Sequence, residues 1–267
     1  MIDPAAVGWG ILAPYAGEWR AAGHYALGQP GDVHVYMVSL RHDEALVDAY
    51  EQILSPVEKQ RADRFHFAPD RARYIAAHGA LREIVGAYAE IPAAAISFQY
   101  SPHGKPALHG TNREFPVAFN MSHSGEVALV AVSGSGPLGI DVERVPGNVE
   151  TEDLAPVCCS RLETAILAEL PLCERAVTLY RWWTRKEALA KALGEGLSRP
   201  LRRYQVVPPY LSEENPGRGA NHPWGVWDIS PLPGYVATLV ADSPERTVVL
   251  NVFESPMSWY PVLSVAR

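Results

Sequence analysis

The spacing of apolar residues changes period several times along the chain, and each change predicts an element. Val33, Val35 and Met37 alternate with His34, Tyr36 and Val38, the two-residue period of a half-buried strand. Ser55-Pro56-Val57-Glu58 opens a short helix with a serine cap, proline at the first position and glutamate three after the cap. That helix carries Lys59, Arg61 and Arg64. Tyr74, Ala77, Leu81, Ile84, Val85 and Tyr88 keep helical spacing behind an Asp70 cap. Arg71 and Arg73 lie in its first turn, where an anion nearby or plain solvation would account for them equally well. Ile96, Phe98 and Tyr100 predict a strand, followed by the turn Ser101 to Pro106. Val117 to Met121 and Val127 to Val132 predict two more, with Ser122-His123-Ser124-Gly125-Glu126 between them.

In the second half, Leu138, Ile140 and Val142 alternate with Gly139, Asp141 and Glu143, which is again a strand. Ser160-Arg161-Leu162-Glu163 is a capping-box pattern for a helix running to Leu170. Residues 174–193 form a longer helix, with Tyr180, Trp183, Glu187 and Lys191 on one face and Gly194 as its stop. A proline-rich stretch from Pro200 to Pro231 follows, and strand-like runs at 235–241 and 247–253 close the chain. The order of elements predicts an α+β fold of two pseudo-twofold-related lobes, each a small, mostly antiparallel sheet packed with helices. The expected division is an irregular arm at 1–31, a first lobe at 32–136 and a second lobe at 137–267.

Composition narrows the function classes. The 267 residues are 48% hydrophobic and 20% charged, ordinary for a globular protein with a sizeable core. A net charge of −7 argues against general nucleic-acid binding, so an anionic ligand has to meet a local basic patch. The three cysteines, Cys158, Cys159 and Cys173, have neither an even count nor metal-ligand spacing, which fits a reducing cytosol. With no basic-then-apolar start and no apolar run near eighteen residues, the expectation is a cytoplasmic protein without membrane spans.

The candidate chemistry lies in the second half. Asp141 and Glu143 leave one side of a strand, and Glu187 leaves a helix, so three carboxylates can converge on a hard cation such as magnesium. Lys186 and Lys191 would neutralise phosphate charge around it. Taken singly, each acid also fits an exposed strand face or a solvated helical ion pair. Residues 134–139 match G-x-G-x-x-G but lead into a strand, and a dinucleotide fingerprint must open a helix.

Four segments stand in a telling order: Gly104-Lys105-Pro106, Phe119-Asn120-Met121-Ser122-His123-Ser124, Gly139-Ile140-Asp141-Val142-Glu143, and Trp183-Thr184-Arg185-Lys186-Glu187-Ala188-Leu189-Ala190-Lys191. With Pro233-Gly234-Tyr235 they make the chain resemble the 4′-phosphopantetheinyl transferases, in the larger two-lobe class that activates peptide synthetases. The resemblance spans roughly residues 32–255 and implies transfer of the phosphopantetheine arm of coenzyme A to a serine of an apo acyl or peptidyl carrier protein, with release of 3′,5′-ADP. It implies that Asp141, Glu143 and Glu187 bind Mg²⁺ and that Lys191 touches the diphosphate with Lys186 nearby. It places Lys105, Ser122 and His123 at the adenosine 3′-phosphate region, with Arg73 and Arg61 at the same end.

Glu187 is the first candidate for the base that takes the serine proton, and Glu163 the second, with the capping box as the competing account of Glu163. Tyr74 and Glu58 depart from the family pattern, at a position expected to be small and polar and at one often basic. A monomer with coenzyme A between the lobes is expected, with the helix after Ser160 as the place to look for carrier docking. Two rival readings use the same residues: a Mg²⁺-dependent hydrolase of a coenzyme A or nucleotide diphosphate, and a non-catalytic coenzyme-A-binding scaffold for carrier domains.

Overall fold

The computed structural model describes residues 17–21, 31–41, 43–109, 117–147, 151–194, 200–204, 206 and 224–255. Most of the expected arm and most of the proline-rich stretch lie outside the described residues. After a two-residue strand, β1 (Arg20–Ala21), the architecture is α+β and uses one plan twice. In the first half, β2 (Val33–Ser39) leads through α1 (Glu44–Ile53), α2 (Pro56–Ala62) and α3 (Ala68–Ala89). A small hairpin, β3 (Phe98–Tyr100) with β4 (Pro106–Leu108), precedes the larger hairpin of β5 (Ala118–Ser124) and β6 (Val127–Ser133). In the second half, β7 (Leu138–Arg144) leads through α4 (Thr151–Cys158), α5 (Arg161–Glu169) and α6 (Leu172–Leu193) to the hairpin of β8 (Gly225–Ile229) and β9 (Tyr235–Ala241).

The strand orders are β2-β6-β5 and β7-β9-β8, antiparallel throughout, so in each lobe the third strand in sequence lies in the middle. Both α3 and α6 have 22 residues. Both α2 and α5 open on a complete capping box, Ser55 with Glu58 and Ser160 with Glu163. Each of these glutamates is buried against a cation that stands fifteenth in the long helix: Arg82 at 2.8 Å from Glu58 and Lys186 at 2.5 Å from Glu163. The repeat thus survives in topology and in two buried ion pairs, although the two halves share no visible sequence repeat.

Several elements differ from the sequence expectation. The final strand, β10 (Val248–Val252), was expected inside a second lobe running to residue 267. It instead inserts parallel to β2, with β1 on its outer side. The physical reason is an edge: β2 presents a row of backbone donors and acceptors that a returning strand can pair. Helix α3 starts at Ala68, with Phe67 as a cap that makes no side-chain bond, and Asp70 sits inside the first turn bonded to Arg73 at 2.9 Å. Strand β5 runs through Ser122, His123 and Ser124, so the expected five-residue connection shrinks to Gly125-Glu126, with Gly125 at φ 57°.

Strand parity explains the layering. Leu138, Ile140 and Val142 face inward with Val33, Val35, Leu129, Leu239 and Leu250, forming a core shared by the two sheets. Helix α3 covers the far side of the first sheet through Ile75, Leu81 and Ile84 against Tyr36, Val130 and Val132. Helix α6 covers the second sheet with Leu179, Trp182 and Leu189 beside Val226 and Val240. The other parity of β7, Gly139-Asp141-Glu143, therefore faces α6. At Gly139 the approach is closest, because a Cβ there would run into the backbone at Ala188 and Ala192.

This close approach makes a prediction about Gly139→Ala. Neither backbone partner can give way locally, so the substitution should cost about 1–3 kcal/mol as overpacking does and lower the urea midpoint. A midpoint equal to that of the unmodified protein would show that α6 and β7 are not pressed together at this position.

Candidate active site

Four charged side chains meet where α6 crosses β7. Lys191 Nζ lies 2.7 Å from Asp141 Oδ1, 3.0 Å from Ser122 Oγ and 3.2 Å from the Ile140 carbonyl oxygen. Asp141 is almost fully buried, and Ser122 donates its hydroxyl proton to the same Oδ1 at 2.7 Å. Glu143, two residues on, accepts a bond from Ser124 Oγ at 2.8 Å. Glu187 is one turn before Lys191 on α6 and shares its face.

The neighbouring edge strand β5 organises this cluster from the first lobe. Asn120 Oδ1 accepts the Ile140 amide at 2.8 Å, and Ser124 Oγ accepts the Arg144 amide at 3.1 Å. Asn120, Ser122 and Ser124 share one side of β5 because it is a strand there, and they meet β7 in the same order. Ser124 was quoted in the sequence motif without a role, and its hydrogen bonds now supply one. Its oxygen accepts the Arg144 amide, so its single proton is committed to Glu143.

The electrostatics are those of an acid cluster in partial burial. Burial pushes the Glu187 carboxyl above the usual range and Asp141 adds to the push, while Lys191 opposes it. Glu143 is likewise raised by burial, against the bond from Ser124, with Asp141 and Glu187 raising it further and Lys191 opposing. Asp141 Oδ2 is buried without any hydrogen-bond partner. An orphaned carboxylate oxygen beside two carboxyls of raised pKa is the donor chemistry of a hard divalent cation, so the residues fit magnesium. Among the described residues, however, no group of three or more His, Cys, Asp or Glu stands in a metal-holding arrangement. The convergence expected from spacing is thus electrostatic in this state, with Lys191 among the acids.

Cations border the cluster on the first-lobe side. Arg61 is exposed and lies 5.9 Å above the ring of Tyr74, which in turn packs on His78 with centroids 4.1 Å apart. His123 is exposed at its residue on β5, and its imidazole has its pKa lowered by partial desolvation first and then by the charges of His78, Lys191 and Arg61. Arg73 points its guanidinium at Asp70. Lys105 bridges the lobes: its Nζ donates to the Leu138 carbonyl at 3.0 Å and to the Lys191 carbonyl at 2.6 Å, and burial brings its pKa down to about 8. Two of its three donors are spent on backbone, and one remains. A cavity of about 330 Å³ opens beside it, lined by Tyr100, Ser101, Phe119, Pro137 and Leu138 among others.

Lys186 does not join the cluster. It is fully buried, bonded to Glu163 and to the Cys158 carbonyl at 2.6 Å, on the side of α6 turned away from Glu187. Helical periodicity sends successive residues 100° apart, so adjacency in sequence separates Lys186 from Glu187. Glu163 is equally occupied, taking the Ser160 amide at 2.7 Å, Lys186 at 2.5 Å and the Val206 amide at 3.3 Å. The capping box accounts for it, and no oxygen of it is open to a substrate. His78 was missed altogether; its signal was its place on the α3 face that carries Tyr74, one turn earlier.

Two α+β lobes thus meet at an acid cluster with Lys191 set into it and Lys105 bridging beside it. Comparison with known proteins names the family. Residues 43–135 match the N-terminal part of 4′-phosphopantetheinyl transferase, and residues 137–240 match the 4′-phosphopantetheinyl transferase superfamily. The chain is 32% identical to the 4′-phosphopantetheinyl transferase HetI of Nostoc sp. over 209 residues, 78% of this chain and 86% of the relative. It is 29% identical to the 4′-phosphopantetheinyl transferase Sfp of Bacillus subtilis over 60% of this chain and 68% of that one. The human L-aminoadipate-semialdehyde dehydrogenase-phosphopantetheinyl transferase is 28% identical over 57% of this chain and 52% of its own length. The chain belongs to the 4′-phosphopantetheinyl transferase superfamily, and it is an enzyme of that class.

Two outcomes follow from this geometry. Lys186→Met should lower stability by about 3–5 kcal/mol by stranding Glu163, and the double variant Glu163→Gln, Lys186→Met should recover much of the loss in chemical denaturation. Coenzyme A affinity of the folded fraction should be unchanged; a selective loss of that affinity would return Lys186 to the site. As for pH, raised carboxyls take up protons earlier on acidification, and a proton competes with a metal for the same oxygen. Mn²⁺ affinity should therefore begin to fall at a pH above the ordinary glutamate value of 4.5. Calorimetry showing constant affinity down to that pH would contradict the raised values.

Proposed function

We propose that this enzyme transfers the 4′-phosphopantetheine arm of coenzyme A to a serine hydroxyl of an apo acyl or peptidyl carrier protein and releases 3′,5′-ADP. The observation that carries the reading is the acid cluster of Asp141, Glu143 and Glu187, with Lys191 set into it and Asp141 Oδ2 left without a partner. The named relatives support the transfer chemistry, and the two matched segments, 43–135 and 137–240, part at the boundary expected between the lobes.

Asp141, Glu143 and Glu187 would hold Mg²⁺, which when bound supplies positive charge to the diphosphate of coenzyme A. Arg61, Arg73, His123 and the remaining donor of Lys105 would receive the 3′-phosphate end. The carrier serine oxygen forms a bond to the phosphorus on the pantetheine side, and the bond from that phosphorus to the bridging oxygen breaks. The serine proton passes to Glu187, whose raised pKa suits a proton acceptor. Ser122 orients Asp141 and Lys191 rather than serving only the 3′-phosphate. The charge left on the departing 3′,5′-ADP falls to Lys191. Phosphoryl transfer asks mainly for such positioning and charge neutralisation, which is why no nucleophile of the enzyme's own is needed.

Among the described residues no helix is long and apolar enough to cross a membrane, and a cytoplasmic monomer is the form we assign. The carrier would approach α5, whose Leu162 and Ile166 are exposed.

The test is intact mass of an apo carrier domain incubated with the enzyme, coenzyme A and Mg²⁺, beside Asp141→Ala. Gain of one phosphopantetheine arm, absent with the variant, is the expected result. Free 3′,5′-ADP without modified carrier would establish a hydrolase instead, and coenzyme A bound without turnover on several carriers would establish a scaffold.

A further inference from the structure

Lys191 cannot meet a diphosphate in the arrangement seen here. An ammonium has three N–H donors, and all three are used within the protein, on Asp141 Oδ1, Ser122 Oγ and the Ile140 carbonyl. Asp141 Oδ1 is committed in turn, since it receives both Lys191 and the Ser122 hydroxyl, while Oδ2 has no partner. Three carboxylates put three negative charges in a half-buried site, and the ammonium offsets one of them, so a divalent cation in its place offsets more of the charge. The lysine is attached to a rigid helix through a flexible four-carbon stem, so its head can move while its Cα stays fixed.

We propose that Lys191 is a tethered counter-ion exchanged for the metal. In metal-free protein the ammonium offsets part of the charge of the acid cluster through Asp141. A divalent cation entering at Asp141 displaces it, and the freed donors then turn to the substrate's diphosphate. The proposal rests on the transferase reading only for the identity of that anion, since the exchange itself involves metal and protein alone. It makes metal loading and lysine release one event, so the cationic arm reaches for substrate only when the metal is in place. It also has a consequence opposite to intuition: a variant without the ammonium should hold metal more tightly while transferring less.

The experiment measures Mn²⁺ affinity by electron paramagnetic resonance without coenzyme A, in the unmodified enzyme, Lys191→Met, Lys191→Gln and Asp141→Asn, each assayed well below its own cooperative unfolding transition. In parallel, amine labelling of Lys191 is followed by mass spectrometry with and without Mg²⁺, with Lys59 on α2 as the internal reference. The expected result is Mn²⁺ binding tightened on the order of tenfold in both Lys191 variants, and Lys191 labelling that rises when Mg²⁺ is added. Tighter binding without a rise in labelling would reduce Lys191 to a repulsive neighbour and overturn the exchange. Unchanged or weaker Mn²⁺ binding in the Lys191 variants would overturn it as well. If Mn²⁺ binding is indifferent to Asp141→Asn, the metal site itself fails, and the proposed mechanism fails with it, an outcome separate from the other two.

Discussion

The site depends on how α6 is clamped in rotation and height over β7. The clamp is the buried pair of Glu163 and Lys186, each fully inside the protein. Glu163 is itself held by the Ser160 cap and the Val206 amide, so the pair ties the start of α5, the middle of α6 and the backbone near residue 206 to one point. Such a pair adds little net stability over apolar packing, because desolvation offsets the attraction. What it supplies is position. Once Lys186 is locked inward, helical geometry leaves Glu187 and Lys191 facing β7. The first lobe uses the same device in Glu58 and Arg82, where burial would raise the Glu58 carboxyl but His78, Ser55 and Arg82 together bring it to about 2.

The second constraint is the Gly139-Asp141-Glu143 parity of β7. A glycine at the point of closest approach lets the helix sit directly on the strand, and that short distance brings the two acids under Glu187 and Lys191. Carboxylates held so close are costly in partial burial. The cost is met locally by the hydroxyls of Ser122 and Ser124 and by the ammonium of Lys191. The hydroxyls come from the other lobe, which makes the acid cluster a property of the junction rather than of either half.

How much of this was legible in the residues follows from the range of the interactions. The alternation in β7, the capping boxes at Ser55 and Ser160 and the face of α6 are local patterns of a few residues, and they appear as expected. Helices α1 and α4 were not anticipated: α1 carries legible local signals, an Asp43 cap and a clear apolar face, whereas α4 contains Pro156, which argues against a helix. The strand pairing of β10 with β2 joins residues some two hundred positions apart, and no local period encodes it. Lys186 was expected to neutralise phosphate charge beside Lys191, and only the folded structure shows the buried glutamate that takes its charge instead. Ser122 to Ser124 misled because polar residues beside a glycine resemble a turn, although here their polarity serves the neighbouring acids.

The division of charge between lobes explains how a chain of net charge −7 can handle a polyanion. The second lobe supplies the acids and Lys191, while the first supplies the guanidinium of Arg61 on α2 and the ammonium of Lys105 just before β4. In the proposed reaction a substrate with phosphates at two places along its length would meet both groups by lying across the junction. Lys105 fixes the spacing between the two ends, since its ammonium joins the β3–β4 hairpin to the start of β7 and to the end of α6 at Lys191. The same helix end is therefore fastened to the first lobe through its backbone while its side chain remains within reach of the acids. A fixed backbone with a mobile charged head is the physical requirement for a residue that must neutralise the empty site in one state and the substrate in the next.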